Sequence, residues 1–154
     1  MEYETVAAQV FGQSLRGLSV NLLCRDVLGE VAFLSGVLGL VAHRASRDFA
    51  IILHGDQPMQ LHSDGTFSSH PLHAFLPESG MRGAGIELRL HGVDPDTAAF
   101  RLVSFPDAML LQPPTDKLGH GLREAVILDP EGYAWVPSVA LQPLADCGMP
   151  SARS

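Results

Sequence analysis

The stretch Gly119-His-Gly-Leu-Arg-Glu-Ala-Val-Ile-Leu-Asp-Pro-Glu-Gly-Tyr-Ala-Trp135 decides how the chain is read. One apolar run, Ala125 to Leu128, enters the segment Asp129-Pro-Glu-Gly-Tyr133, and a second apolar run leaves it. Pro130 fixes its φ and Gly132 can take a positive φ, so the segment predicts two strands joined by a tight reversal. Upstream, Ala50-Ile-Ile-Leu-His-Gly-Asp56 aligns with Ala125-Val-Ile-Leu-Asp-Pro-Glu131, each an apolar strand running into a turn. Ala32-Phe33 and Ala99-Phe100 make a second match in the same order. Such a repeat predicts two copies of one supersecondary unit.

Each half fits the same βαβββ pattern. In the first, Leu18 to Cys24 alternates as a strand does, and Asp26 then caps a helix whose apolar residues Val27, Val31, Leu34 and Leu38 recur at spacings of four and three until Gly39. Strand-like runs follow at Val41–His43, Phe49–His54 and Met59–His62, separated by turn-prone clusters. Gly65 to Gly85, rich in Gly, Ser and Pro, reads as the connection, with room for a helical turn at His73–Leu76. In the second half, Gly85–Leu90 is a strand carrying Glu87 and Arg89 on one face. Asp94-Pro95 starts a short helix, and strands follow at Met109–Gln112, Glu124–Leu128 and Ala134–Val136. The expected organisation is an N-terminal tail over 1–16, one α+β domain over 17–141 built from modules at about 17–65 and 83–141, and a C-terminal tail over 142–154.

At 154 residues, 46% hydrophobic and 18% charged, the chain has the length and apolar content of one autonomously folding domain. Its apolar runs fall far short of the ~20 residues that cross a bilayer, and Met1 to Arg16 opens with Glu2 and Glu4 rather than a basic leader, so the expected compartment is the cytoplasm, with no membrane partner. The net charge of −7 disfavours nucleic acid as a partner. It suits a cationic or neutral small ligand, although solubility explains the same balance. Cys24 and Cys147 are expected as free thiols.

Three segments resemble the vicinal-oxygen-chelate superfamily, which includes glyoxalases, bleomycin-resistance proteins and dioxygenases. They are Leu38-Gly39 closing the first helix, Gly83-Ala-Gly-Ile-Glu-Leu88 opening the second half, and the Gly119–Trp135 stretch. The likeness spans about Leu18 to Leu141. It implies two βαβββ modules whose mixed sheets curve around a cavity, commonly completed in a homodimer. It also implies, in metal-dependent members, a His or Gln on the first strand of each module and a Glu on the last. Those positions fall here on Ser19, Gln60, Gly85 and Val136, and a shift of one residue gives Val20, Leu61, Ile86 and Trp135. Only Gln60 offers a donor of the right kind, so no metal and no other cofactor is expected.

Residues two positions from these share a strand face, which nominates Asn21, His62 and Glu87 beside Gln60 as ligand-contacting. His62 and Glu87 in one cavity would form an acid–base pair; the plainer alternatives are a strand-end histidine and a Glu87–Arg ion pair. By resemblance, His120 and Arg123 flank the cavity mouth, where Arg123 would grip a carboxylate or phosphate. Equally, Arg123 pairs with an acid near Glu124 or Asp129, and His120 is a plain loop residue. Trp135 is expected in the core, on the face opposite the ligand position. The seven histidines show no metal-binding spacing, and neither a phosphate loop nor a Gly-x-Ser-x-Gly elbow is present. The expected function is metal-free binding of a small molecule. The alternatives are a glyoxalase-like lyase, isomerase or dioxygenase with a displaced metal site built from His62, Glu87 and Gln60 or His120, and a regulatory partner with a vestigial cavity.

Overall fold

A computed structural model describes residues 1–142, so Cys147 and all of the expected C-terminal tail after Gln142 lie outside the described residues. The elements are α1 (Ala8–Ser14), β1 (Asn21–Cys24), α2 (Val27–Leu38), β2 (Val41–His43), β3 (Phe49–His54), β4 (Gln57–Ser63), β5 (Glu87–His91), α3 (Pro95–Arg101), β6 (Met109–Lys117), β7 (Leu122–Leu128) and β8 (Ala134–Ala140). They form two four-stranded mixed sheets of the same topology, β1-β4-β3-β2 and β5-β8-β7-β6. In each, the first strand pairs in parallel with the last and the other pairings are antiparallel. This is the expected α+β pair of βαβββ modules. Among the described residues no helix is long and apolar enough to cross a membrane.

Local signals account for the helices. Asp26 accepts from Gly29 N at the start of α2, and Gly39, at φ 69°, closes it in the left-handed conformation. Asp94 caps α3 by accepting from Asp96 N and Thr97 N, with Pro95 in the first turn, where its missing N–H costs nothing. One face of each sheet packs with the helices into a shared core that holds Leu22, Ala50, Ile52 and Leu61 from one half and Leu90, Ile127 and Trp135 from the other. Neither half therefore has a core of its own.

The strand borders differ from the expected ones for physical reasons. β1 starts at Asn21 rather than Leu18, because its ladder with β4 begins at Asn21↔Gln60, and Ser19 lies before the strand. β6 runs on through Pro113 and Pro114, which an edge strand with an interrupted register tolerates. β8 continues past Val136 because Pro137 pairs only toward β5 and has no bridge partner on β7. The repeat holds for Ala50 and Ala125, both fully buried on the third strands of their modules. It fails on the helices, where Phe33 is buried and Phe100 is 81% exposed.

The Asp129–Tyr133 turn fastens the halves together. Asp129 accepts from Glu131 N, Tyr133 N and Trp135 Nε1 at 2.9, 2.9 and 2.7 Å. Tyr133 donates to Leu23 O at 2.9 Å and Glu131 accepts from Asp26 N at 2.8 Å, both across the module boundary. Gly132 has φ +92°, and a Cβ there would lie 2.5 Å from the Met81 Cα, so both conformation and space require glycine. Arg82 adds a bidentate pair with Asp64, both bonds 2.7 Å.

Candidate functional site

The registers sort the side chains by face. In the first sheet Asn21 and Gln60 are paired and His62 lies two residues on, so all three share the face turned away from α2. Phe49 lies opposite His62, whose ring sits between Phe49 and Phe67 with centroids 5.2 and 4.7 Å away. Burial holds the His62 imidazole below its usual pKa, so it is neutral at physiological pH. The N-terminal segment joins this sheet at β2: Glu4 bonds His43 Nδ1 at 2.9 Å and Arg44 N at 3.1 Å, and the Tyr3 and His43 rings lie 5.4 Å apart.

In the second sheet Glu87, Arg89 and His91 share a face with Val136, Ser138 and Glu124. Arg89 is ion-paired to the buried Glu124 and bonded to Glu87 at 3.3 Å. Ser138 Oγ lies 3.1 Å from His91 Nδ1, but Ser138 is fully buried and so is closed to substrate. Glu87 thus takes the ion-pair alternative. Arg123 differs from the cavity-mouth expectation: strand alternation turns it to the opposite face, toward α3, where Asp96 accepts from it at 2.7 and 2.8 Å and Asp116 at 2.8 Å. His120 is an exposed loop residue. Among the described residues, no hydrogen bond, ion pair or ring contact joins Asn21, Gln60 or His62 to Glu87, His120 or Arg123.

A large cleft instead lies on the seam between the two sheets, with a volume of about 790 Å³. Its walls come from Val20 before β1, Pro58 and Met59 of β4, Leu88, Arg89 and Leu90 of β5, and Trp135 of β8. Met1, Tyr3 and Ser14 to Ser19 of the N-terminal segment supply the remaining side, and His54, Asp56 and Gln57 the rim. None of the six nominated residues lines it. Ser19 does, alone of the four positions where the superfamily would place metal ligands. Arg89 was legible by the rule that picked Glu87, one strand repeat further along. Arg16 carried no signal, because it stands in a segment read as a tail.

The residues present do not fit a divalent ion. Val136 is a fully buried aliphatic side chain, Gly85 has none, and a Ser hydroxyl and a Gln amide remain. Among the described residues no three His, Cys, Asp or Glu side chains are grouped as a metal ion requires. A displaced site would need His62 and Glu87 together, and they stand on different sheets with other partners. Cys24 offers no nucleophile, since burial pushes its thiol pKa up.

No family model and no curated protein sequence matches the chain. Solved structures do. A glyoxalase/bleomycin resistance protein/dioxygenase family enzyme from Burkholderia phytofirmans PsJN is 20% identical, with TM-score 0.65 over 79% of this chain and 96% of that one. A glyoxalase-related enzyme from Fulvimarina pelagi is 14% identical, with TM-score 0.63 over 87% and 95%. A glyoxalase/bleomycin resistance protein/dioxygenase from Nocardioides is 18% identical, with TM-score 0.59 over 95% and 98%. At these identities the likeness shows the fold alone, the one these glyoxalase/bleomycin resistance protein/dioxygenase structures share.

Proposed function

We propose that this chain, a vicinal-oxygen-chelate fold, binds a small and largely apolar molecule in the seam cleft without a metal ion. The observation that carries the reading is the cleft itself: about 790 Å³, walled mainly by Val20, Pro58, Met59, Leu88, Leu90 and Trp135, with a few polar groups at its margins. That is the usual composition and size of a small-molecule site, where apolar walls supply affinity and sparse polar groups fix orientation. The unsuitability of Ser19, Gly85 and Val136 as ligands supports the metal-free part of the reading. We favour binding over turnover because, among the described residues, His54 of the cleft contacts the His91 carbonyl and is hydrogen-bonded to no serine or carboxylate of the lining.

A second copy of the chain is part of the proposal. The edge strands β2 and β6 leave Val41, Met109 and Leu111 at 54%, 58% and 50% exposure, apolar surface that a like chain would cover. Sedimentation equilibrium tests this: a dimer supports it, and a monomer at micromolar concentration removes it.

Thermal shift against a panel of apolar and amphipathic small molecules tests the binding. A ligand at a hundred times its Kd raises the stability of the native state by about 2.7 kcal/mol, enough to move the melting temperature by several degrees. The expected result is a set of hits whose shifts disappear when Leu88→Arg blocks the cleft. Hits unaffected by that variant would place binding elsewhere and overturn the assignment.

A further inference from the structure

We infer that a second pocket, between the start of α2, the loop after α3 and the Asp129–Tyr133 turn, binds a small organic cation, an ammonium or amidinium on a body of single-ring size. It shares no lining residue with the seam cleft and does not depend on the reading of that cleft.

The pocket has a volume of about 230 Å³. Four carboxylate residues line it, Asp26, Glu30, Asp107 and Glu131, and no lysine, arginine or histidine does. Phe105, Pro106 and Pro130 supply apolar wall, with the Phe105 ring in a T-shaped contact with Phe33, centroids 5.8 Å apart. A charged head and a compact apolar body therefore both have a place, at a size below the usual drug-sized range.

The fold uses only part of this acidity. Asp26 Oδ1 accepts from Gly29 N at 3.0 Å and Glu131 Oε1 from Asp26 N at 2.8 Å, so the positive end of the α2 dipole is already offset. Glu30, 1% exposed, is different: neither of its oxygens, nor Glu131 Oε2, accepts from any donor among the described residues, and all three atoms are buried. A proton on Glu30 facing Asp129 resolves that contact and still leaves the other Glu30 oxygen and Glu131 Oε2 without a donor. Buried acceptors in this state are costly, and here they belong to residues that line a pocket, which points to a donor supplied from outside the chain.

Neighbouring arginines do not fill the role. Arg25 donates to the carbonyls of Pro77, Glu78 and Gly80, and its Nη1 lies 3.7 Å from Glu131 Oε2, beyond hydrogen-bond range. Arg82 is held by Asp64. An inorganic ion is a poor match, because among the described residues no three acids are grouped as a metal requires. An ammonium carries three N–H donors and accepts looser geometry, and an amidinium offers a comparable fork.

The test titrates isotope-labelled protein with benzylamine, cationic at neutral pH, and with benzyl alcohol, its neutral isostere, and follows amide NMR shifts. The expected result is saturable shifts at Gly29, Ala32 and Asp107, with the amine binding about tenfold more tightly than the alcohol. Glu30→Gln and Asp107→Asn each reduce the amine's affinity several-fold and leave the alcohol's unchanged; Asp107 is exposed, so its variant decides the question if Glu30→Gln fails to fold. Equal affinities for the two probes, an amine affinity unchanged in the variants, or shifts confined to Val20, Met59 and Leu88 of the seam cleft would overturn the cation site.

Discussion

Replacing Glu30 by glutamine should remove one proton from the pH dependence of folding. Glu30 lies on α2 with 1% of its surface exposed, and neither carboxyl oxygen has a donor. Burial first, and then the charge of Asp129, hold its pKa well above the ordinary carboxylate range, with Glu131 and Asp26 adding to the effect. Asp129 accepts from three N–H groups and is the natural anion of the pair. Two carboxylates cannot bond each other, so a proton on Glu30, donated toward Asp129, resolves the contact. In the unfolded chain Glu30 ionises near pH 4.3. A raised native pKa therefore gives stability that is complete below that pH and is lost as pH rises toward the native value. The loss amounts to about 1.4 kcal/mol for each pH unit over which native Glu30 stays protonated. The Glu30→Gln side chain would keep the shape and a donor without titrating. Urea unfolding of both proteins from about pH 4 to pH 8 measures the difference, which cancels every other titrating group. The variant should gain on the parent by that slope with rising pH; two parallel curves would refute a protonated Glu30.

Other substitutions test the remaining structure. Gly132→Ala should cost at least about 2 kcal/mol by denaturant unfolding, since it combines positive φ with a backbone clash, whereas Gly85→Ala, at φ +85° with open space, should cost about 1 kcal/mol. Arg123→Ala should leave the affinity for any ligand found by thermal shift unchanged, because its side chain pairs with Asp96 and Asp116 away from the cleft; a several-fold loss would return Arg123 to the ligand site. The His62 ring should titrate by NMR below the ordinary imidazole midpoint, and a midpoint above it would mean a charged partner that the Phe49 and Phe67 packing does not supply.

The turn at Asp129–Tyr133, the caps Asp26 and Asp94, and the matching strands around Ala50 and Ala125 all stood in the sequence, because each depends on residues close along the chain. The faces were equally legible: strand alternation places Asn21, Gln60 and His62 together and Trp135 in the core. The cleft was not. It arises where two sheets and an N-terminal segment meet, and no periodicity within one strand says which face meets which. Arg123 shows the same limit, since its partner Asp96 comes from a helix packed on the sheet and lies well outside the local sequence. Glu30 was invisible for a related reason: an acid in an otherwise apolar helical stripe gains meaning only from the Asp129 carboxylate that folding brings beside it.

The most direct test of metal-free binding is a phenylnaphthylamine titration followed through Trp135 emission, before and after exhaustive dialysis against a chelator. Superimposable curves are the predicted result. Loss of binding on chelation, restored by one equivalent of a divalent metal, would contradict the account.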